Sequence, residues 1–329
     1  MPNKKSSSNV TSLELSCSNL VQALEESVSR NLGDGLLLSG GLDTAIIAYL
    51  APNSMKPGCV TVALRDAPAP DIEYARLVAD RLKLQHHIHY FGHDELEASI
   101  RDTIVVLKSF DPMEIRNSAA IQLALKIAGK LGMKTIMTGD GGDELFAGYS
   151  FLFGLTPGQL NIALKKLWVD MRFSAIDLAA DLGLKVNVPF LDTQIRNLAM
   201  NIDGSLKVKS ENGQVWGKWI LRKAFENIVP RELLWRVKAP AEVGIGTTTL
   251  PAYYNSIITD TEFAIKQQQY LREDSVNIRS KEQLFYYEIY RGSVGLPYSG
   301  DNSGKSCPDC HSTVEERATY CRTCGAYPI

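Results

Sequence analysis

Two glycine-bearing loops and a cysteine cluster hold the residues of this 329-residue chain whose types and spacing suit chemistry. The first loop follows the apolar run that begins at Gly35 and reads Ser39-Gly40-Gly41, with a helix predicted to start at Asp43. Glycine lets main-chain N–H groups approach an anion closely, and the positive end of the helix dipole points at the same place. The loop therefore predicts a phosphate-binding site.

This first loop lacks the signatures of two common nucleotide-binding loops. No Gly-Lys-Ser/Thr follows it, as a Walker A loop would require, and the third glycine of the dinucleotide fingerprint is missing. Asp43 would repel phosphates unless a divalent cation lies between them. Taken alone, the loop is also compatible with a tight strand-to-helix turn that binds nothing.

A second loop, residues 138–144, again follows a predicted strand and combines three glycines with Asp140, Asp143 and Glu144. Acids so close repel one another unless a cation or a helix N-terminus offsets their charge. Mg²⁺ shared by Asp43, Asp143 and nucleotide phosphates would do so, because it favours one or two carboxylates plus phosphate oxygens. The alternative is a solvated acidic loop at a helix start.

Four of the six cysteines form two C-x-x-C pairs near the end of the chain, at Cys307, Cys310, Cys321 and Cys324. This spacing predicts a structural Cys₄ zinc ribbon. Disulfides or a rubredoxin-like iron site are the alternatives. A ribbon this small needs its metal to fold, and we expect it to dock a partner protein, a carrier or RNA.

Composition excludes several classes of protein. A formal charge of −2 and a pI near 6.2 give no global field for nucleic acid or an anionic membrane. No apolar run approaches the ~18–20 residues of a membrane span, and the polar start lacks a signal-peptide core. We expect a cytoplasmic protein that makes no membrane contact.

Strand and helix signals alternate in the first half of the chain, which predicts an α/β fold whose parallel sheet has helices on both faces. Ligands of such sheets bind beyond the carboxyl ends of the strands, where both glycine loops lie. The predicted strands are 35–38, 59–64, 87–90 and 134–138, and the predicted helices are 12–31, 43–50, 71–82 (with Asp71 as its N-cap), 95–108 and 117–131.

After Tyr149 the pattern becomes helical, with helices predicted at 160–180, 193–200 and 216–228 and no strand between them. The predicted organisation is a disordered tail at 1–10, a nucleotide-binding α/β domain at 11–150, a helical part at 151–296, a linker at 297–306 and the ribbon at 307–329.

Four segments in order carry a family resemblance: 38–44, 138–144, 188–192, and 218–222 continuing to 235–238. Weaker similarities occur at His86-His87 and 115–118. Together they resemble the synthetase domain of glutamine-dependent asparagine synthetases and β-lactam synthetases, in the superfamily of N-type (PP-loop) ATP pyrophosphatases. The resemblance implies the adenine nucleotide alpha hydrolase-like fold over about residues 15 to 250.

The resemblance also implies roles for individual residues. Asp43 and Asp143 would hold Mg²⁺, and Asp140 would lie near the adenylated acyl group. Lys238 would reach the α-phosphate or the departing pyrophosphate, and Arg222 joins this catalytic set, with pairing to a nearby acid as its alternative. ATP would contact Leu37, Ser39, Gly40, Gly41, Asp43, Thr44, Val62, Thr138 and Gly139.

The activity so implied is that of an ATP-dependent carbon–nitrogen ligase, which adenylates a carboxylate, releases pyrophosphate and transfers the acyl group to ammonia or another amine. One alternative is a PP-loop enzyme that adenylates a tRNA base, with the zinc ribbon binding the tRNA. Another is a nucleotide-binding scaffold without catalysis. The carboxylate substrate is either a small molecule or bound to a carrier.

Two departures from the family pattern bear on the substrates. About thirty residues precede the first motif, without the N-terminal cysteine that a glutaminase domain needs. We therefore expect free ammonia, a separate glutaminase subunit or another amine as donor. Residues 185–187 read Lys-Val-Asn where the family commonly has Glu-Ala-Arg, which puts aspartate as the acceptor in question.

Overall fold

A computed structural model describes most of the chain, in four stretches: residues 12–52, 55–237, 240–297 and 304–329. The predicted tail at 1–10, Lys238 and most of the predicted linker lie outside these stretches. Over the part that is described, no helix combines the length and apolar character needed to cross a membrane.

The centre of the fold is a parallel sheet of five strands in the order β3-β2-β1-β4-β5. Leu36 of β1 lies opposite Cys59 of β2 on one side and Met137 of β4 on the other. Because β1 and β4 are neighbours, the loops that follow them meet at one edge of the sheet. The strands are β1 Gly35–Leu37, β2 Gly58–Leu64, β3 His86–Phe91, β4 Thr135–Met137 and β5 Lys185–Asn187.

Helices cover both faces of this sheet, which confirms the predicted α/β class. Successive strand residues point to opposite faces, so Ile136 joins one buried apolar cluster and Met137 the other. The helices of the first half are α1 Ser12–Arg30, α2 Leu42–Leu50, α3 Asp71–Leu82, α4 His93–Leu107, α5 Pro112–Lys130 and α6 Gly142–Phe146.

The second half of the chain adds nine α-helices within the described stretches. These are α7 Pro157–Asp170, α8 Ser174–Asp181, α9 Thr193–Asn201, α10 Trp219–Ala224, α11 Arg231–Leu234, α12 Ala241–Ile245, α13 Leu250–Ile257, α14 Asp260–Glu273 and α15 Lys281–Ser293.

Several predicted helix boundaries are wrong. The helix predicted from residue 117 begins at Pro112, because the Asp111 carboxylate caps it by accepting a hydrogen bond from the Met113 N–H at 3.1 Å. The helix predicted over 160–180 is broken between α7 and α8. Asp71 is not the N-cap of α3, since Pro70 holds that position and the Asp71 carboxylate pairs with Arg236 instead.

The prediction of no strand between 151 and 296 is also wrong. Strand β5 joins the central sheet beside β4, beyond the boundary drawn at residue 150. A hairpin of β6 Lys209–Glu211 and β7 Gln214–Trp216 follows. Its turn, Asn212-Gly213, has φ values of +53° and +77°, as an Asn-Gly hairpin turn requires.

Candidate active site and cysteine cluster

The first glycine loop leaves β1 and closes tightly onto α3. Gly40 has φ +72°, and a Cβ there would lie 2.3 Å from the Asp71 carbonyl oxygen, so only glycine fits. The Gly41 N–H donates to Ser39 Oγ at 3.2 Å, and Ser39 Oγ lies 3.2 Å from Thr44 Oγ1. These bonds fix the small residues of the loop at the positive end of α2.

The second glycine loop leaves β4 and packs directly on the first. A Cβ on Gly142 would lie 2.5 Å from Asp43 Oδ1, and one on Gly148 would lie 1.6 Å from Asp143 Oδ1. The glycines therefore let Asp43, at the start of α2, and Asp143, at the start of α6, approach one another. The structure brings together the two loops that the sequence predicted to meet.

Lys218 joins these two carboxylates. Its ammonium lies 2.5 Å from Asp43 Oδ2 and 2.8 Å from Asp143 Oδ1, and its side chain is 3% exposed. Burial lowers the pKa of Lys218, but the charges of Asp143 and Asp43 outweigh burial and raise the pKa above its ordinary value. The lysine is therefore a fixed cation between the loops.

Lys218 is the functional candidate that sequence reasoning missed. It opens the segment 218–222, which carried the family resemblance, but no role was predicted for it. One structural signal is its φ of +53°, a left-handed conformation at the residue before α10 that turns its side chain toward the loops. No local sequence pattern predicts a left-handed conformation at this lysine.

Asp140 lies in the same loop as Asp143, and its carboxylate accepts a hydrogen bond from Thr138 Oγ1 at 2.8 Å. Burial raises the pKa of Asp140 above its ordinary value; the Thr138 bond opposes this rise, and the charges of Asp43 and Asp143 add to it. Three carboxylates thus share one site with one lysine. Such a set of oxygen ligands fits Mg²⁺, which favours carboxylates together with phosphate oxygens.

Four other residues predicted to contact ATP lie in or directly after neighbouring strands. Leu37 ends β1, and Val62 lies in β2, where it is 8% exposed. Thr138 and Gly139 follow β4, and a Cβ on Gly139 would lie 3.0 Å from the Asp43 Cβ. All four are therefore near the two glycine loops, although their contacts with a nucleotide stay a prediction.

Arg222 directs its guanidinium at main-chain carbonyls. Its Nε donates to the Gly217 oxygen at 3.0 Å, and its Nη1 donates to the oxygens of Leu234 and Arg236. Burial lowers the pKa of Arg222 to about 10. These contacts anchor the guanidinium to main-chain carbonyls, and its catalytic role stays a prediction.

The segment 188–192 is a turn that holds α9 in place. The Asp192 carboxylate accepts a hydrogen bond from the Gln194 N–H at 2.9 Å and pairs with Arg30 at 2.9 Å. These contacts are those of an N-cap tied to α1. In the described structure the segment is therefore a structural turn between β5 and α9.

The four clustered cysteines are fully buried, and their sulfurs all lie within 4.8 Å of one another. Two of the S–S distances are 3.6 and 3.7 Å, far beyond the ~2.05 Å of a disulfide. A tetrahedral site with metal–sulfur bonds of about 2.3 Å has S–S edges of about 3.8 Å. The arrangement therefore fits one tetrahedral metal ion.

The cysteine module, residues 304–329, is packed on the rest of its own chain. The four cysteines belong to the same buried cluster as Phe110, Tyr287 and Tyr290. The Phe110 N–H donates to the Thr323 oxygen at 2.7 Å, and Gln283 Nε2 donates to the Cys324 oxygen at 2.7 Å. The module thus ties the start of α5 to the start of α15.

Comparison with protein families settles the membership of this chain. The model of the asparagine synthase family matches residues 19–157 and 158–285. The chain belongs to the asparagine synthase family. The match contains both glycine loops and Lys218 and ends before the cysteine module, so the resemblance that the four segments predicted is confirmed.

Curated members of the asparagine synthase family show how far the similarity extends. A probable glutamine-hydrolyzing asparagine synthetase of Schizosaccharomyces pombe is 31% identical over 307 residues, which cover 82% of this chain and 54% of the relative. Asparagine synthetase B of Escherichia coli is 30% identical over 313 residues, which cover 86% and 54%. The chain spans about half the length of the curated relatives it matches.

Among solved structures, the NMN synthetase of Francisella tularensis aligns with 88% of this chain and 99% of its own, at 15% identity and a TM-score of 0.39. Because both the identity and the TM-score are low, we base no conclusion about this chain on that structure.

Replacing Lys218 tests its role as the cation between the loops. In Lys218→Met the two carboxylates lose the ammonium, and we expect the free energy of unfolding to fall by about 3 kcal/mol. Lys223→Met is the matched control, because Lys223 lies on α10 in an exposed pair with Glu226 and should change stability by less than about 0.5 kcal/mol. Urea denaturation measures both, and a loss below about 1 kcal/mol in Lys218→Met would contradict this account.

Glu114, at the junction of α5 and the cysteine module, predicts a pH effect. Burial, followed by the charge of Asp111, raises its pKa to about 6, against the opposing effects of Ser109, Arg322 and Arg172. The folded protein therefore binds this proton more tightly than the unfolded chain, and that stability is lost as pH rises through about 6.

We accordingly expect Glu114→Gln to be more stable than the wild type at pH 7.5, by up to about 1 kcal/mol after allowance for partial exposure. The gain should disappear near pH 4, where the wild-type carboxyl is protonated. Guanidinium unfolding at the two pH values measures it, with the exposed Glu316→Gln as control. An equal gain at both pH values would show that the charge is not responsible.

Proposed function

We propose that this chain is an ATP-dependent amide-forming ligase, which adenylates a carboxylate, releases pyrophosphate and passes the acyl group to ammonia or another amine. The observation that carries the proposal is the meeting of Asp43, Asp143 and Lys218 at the carboxyl edge of the sheet. Membership of the asparagine synthase family and relatives named as asparagine synthetases support it.

The first loop would bind the phosphates of ATP through the N–H groups of Gly40 and Gly41 and the hydroxyls of Ser39 and Thr44. Asp43 and Asp143 would hold Mg²⁺, which neutralises phosphate charge when it is bound. The Lys218 ammonium, fixed beside both carboxylates, would stabilise the charge that develops on departing pyrophosphate. Preorganised donors are most effective in such a buried place.

Asp140 would lie beside the acyl group. Its raised pKa suits it to take the proton that an attacking amine loses, because a general base works best when its pKa is nearer to the working pH. Lys238 would supply a second cation to the phosphates, as the resemblance implies. The roles of Asp140 and Lys238 are both parts of the proposed mechanism.

The acceptor is proposed only as a carboxylate. Of the three residues that depart from the family pattern, Lys185 begins β5 and is exposed, while Asn187 ends it at the carboxyl edge. The Asn187 Nδ2 donates to the Asn31 oxygen at 3.0 Å, so its amide is directed at α1's end and not at the glycine loops. An acid other than aspartate, free or bound to a carrier, fits this departure. The proposed nitrogen donor is ammonia or another amine.

The tRNA alternative receives less support from the surroundings of the cysteine cluster. Lys305 Nζ donates to the carbonyl oxygens of Ala318 and Ile329, at 2.7 and 3.1 Å, and Arg322 donates to the Asp170 oxygen. Both cations are thus engaged within the chain, whereas phosphate backbones need a row of free ones.

We also propose that Zn²⁺ is held by Cys307, Cys310, Cys321 and Cys324. The S–S distances and the closed set of four buried thiols support a structural site with no position for substrate. Because the module packs on α5 and α15, its proposed role is to stabilise this chain, in place of the docking of a carrier or RNA that the sequence suggested.

Exchange of labelled pyrophosphate into ATP tests the ligase proposal. We expect exchange that depends on a carboxylate from a panel of amino acids, related acids and carrier-bound acids, and a loss of at least ~100-fold in Asp143→Asn. Nucleotide binding without exchange for any acid would favour the scaffold, and exchange that requires tRNA would favour the nucleobase-modifying enzyme.

Metal analysis tests the zinc proposal. We expect about one zinc ion per chain by mass spectrometry, little or none in Cys310→Ser, and a fall of at least about 3 kcal/mol in that variant's free energy of unfolding. Cys17→Ser is the control, because Cys17 lies on α1 away from the cluster. Iron at the site, or full stability without metal, would contradict the proposal.

A further inference from the structure

The second glycine loop runs on into a turn, residues 143–149, whose two ends are joined by a pair of side chains. The Tyr149 hydroxyl donates a hydrogen bond to Glu144 Oε1 at 2.5 Å, and the Glu144 carboxylate is buried. A buried carboxylate that loses its hydrogen-bond donor is costly, because water does not replace the missing bond. The pair therefore holds the ends of the turn together.

The middle of the turn has a backbone conformation that needs such support. Ala147 has φ +59°, in the left-handed region that is unfavourable for a residue with a side chain. The Gly148 N–H donates to the Asp143 oxygen at 2.9 Å and closes the turn onto the start of α6. A left-handed alanine persists only where surrounding contacts hold it, and the bond between Tyr149 and Glu144 is one of those contacts.

Lys218 lies against this turn. The Lys218 N–H donates to the Phe146 oxygen at 3.0 Å. A Cβ on Gly148 would overlap Lys218 Cε, and a Cβ on Gly217 would overlap the Ala147 oxygen. The turn thus contacts the lysine through its main chain, through its side chain and through the residue before it. One of the two carboxylates that the ammonium pairs with, that of Asp143, belongs to the same turn.

We propose that Glu144 and Tyr149 are positioning residues, which hold the turn at 143–149 so that the Lys218 ammonium lies between Asp43 and Asp143. Both act through the lysine and neither is assigned a contact with substrate. The inference rests on the proposed function, in which this ammonium stabilises the charge on departing pyrophosphate. Placement of such a group matters steeply, since a displacement of about 1 Å can cost about 100-fold in rate.

The position of Lys218 is tested first without substrate, by the rate at which an amine-reactive ester acylates each lysine, read by mass spectrometry. The Lys218 side chain is 3% exposed and paired with two acids, so its labelling should be slow in the wild type. We expect labelling at least ~10-fold faster in Tyr149→Phe, which removes only the hydroxyl. Tyr287→Phe is the matched control, because the Tyr287 hydroxyl also donates to a buried carboxylate, that of Asp274, at 2.8 Å.

A second lysine distinguishes displacement of Lys218 from general opening of the fold. Lys207 is 1% exposed, so any loosening of the whole molecule should speed its labelling too. An unchanged rate at Lys218 in Tyr149→Phe would overturn the proposal. Equal increases at Lys218 and Lys207, or the same increase at Lys218 in Tyr287→Phe, would also overturn it.

The positioning role is then tested by a double-mutant cycle in pyrophosphate exchange. We expect Tyr149→Phe to lower kcat by about 10- to 100-fold and to change the KM for the acid by less than ~3-fold. In Lys218→Met the same substitution should have no further effect, because the group that it positions is gone. Equal losses in both backgrounds would show that the pair does not act through Lys218.

Glu144→Gln separates positioning from a direct part in the chemistry. Its amide can still exchange a hydrogen bond with the Tyr149 hydroxyl, so we expect kcat within ~3-fold of the wild type. Glu144→Ala removes the bond and should resemble Tyr149→Phe. A loss in Glu144→Gln as large as that in Glu144→Ala would show that the carboxylate charge itself takes part, and would overturn the positioning role.

The two kinds of test also separate this inference from the proposed function. Absence of pyrophosphate exchange in the wild type would count against the ligase, whereas the labelling of Lys218 is measured without substrate and still decides whether Glu144 and Tyr149 hold the lysine in place.

Discussion

The structure depends on one electrostatic arrangement, a buried lysine between two aspartates that lie at the starts of two helices, α2 and α6. Asp43 and Asp143 carry like charges and would separate their loops if no cation lay between them. Lys218 supplies that cation at 2.5 and 2.8 Å, and it comes from a third element, the start of α10. The site is therefore assembled from parts of the chain about 175 residues apart, and it exists only in the folded protein.

Glycine makes this arrangement sterically possible. At Gly142 and Gly148 any Cβ would overlap a carboxylate oxygen of Asp43 or Asp143, so the approach of the charges requires residues without side chains. The net charge of the two acids and one lysine is negative, which leaves the site attractive to a further cation that arrives with phosphates. Charge and shape thus both favour a metal–nucleotide complex over a bare anion.

Much of this could be predicted from the sequence because it is local. Short stretches of sequence are enough to predict the turns around Gly40 and Gly141, each strand or helix of the alternating pattern, and each of the two cysteine pairs. Lys218 does not, because its importance lies in distant partners and in a left-handed backbone that no pattern of lysines predicts. Strand β5 was missed for a related reason: its residues Lys185-Val186-Asn187 lack the apolar run that marks β1, and only their pairing with β4 makes them a strand.

The cysteine module shows the same division between local and distant signals. Its cysteine pairs could be recognised from their spacing, but its packing against α5 and α15 depends on Phe110, Gln283 and Arg279, which lie outside the module in the sequence. The four thiols belong to the same buried apolar cluster as Ile136 of the central sheet. Binding of a metal would therefore stabilise this part of the core as well as the module. Such a module cannot unfold without uncovering Phe110 and the aromatic side chains of α15. With the proposed metal bound, the module would act as a cross-link between the starts of α5 and α15.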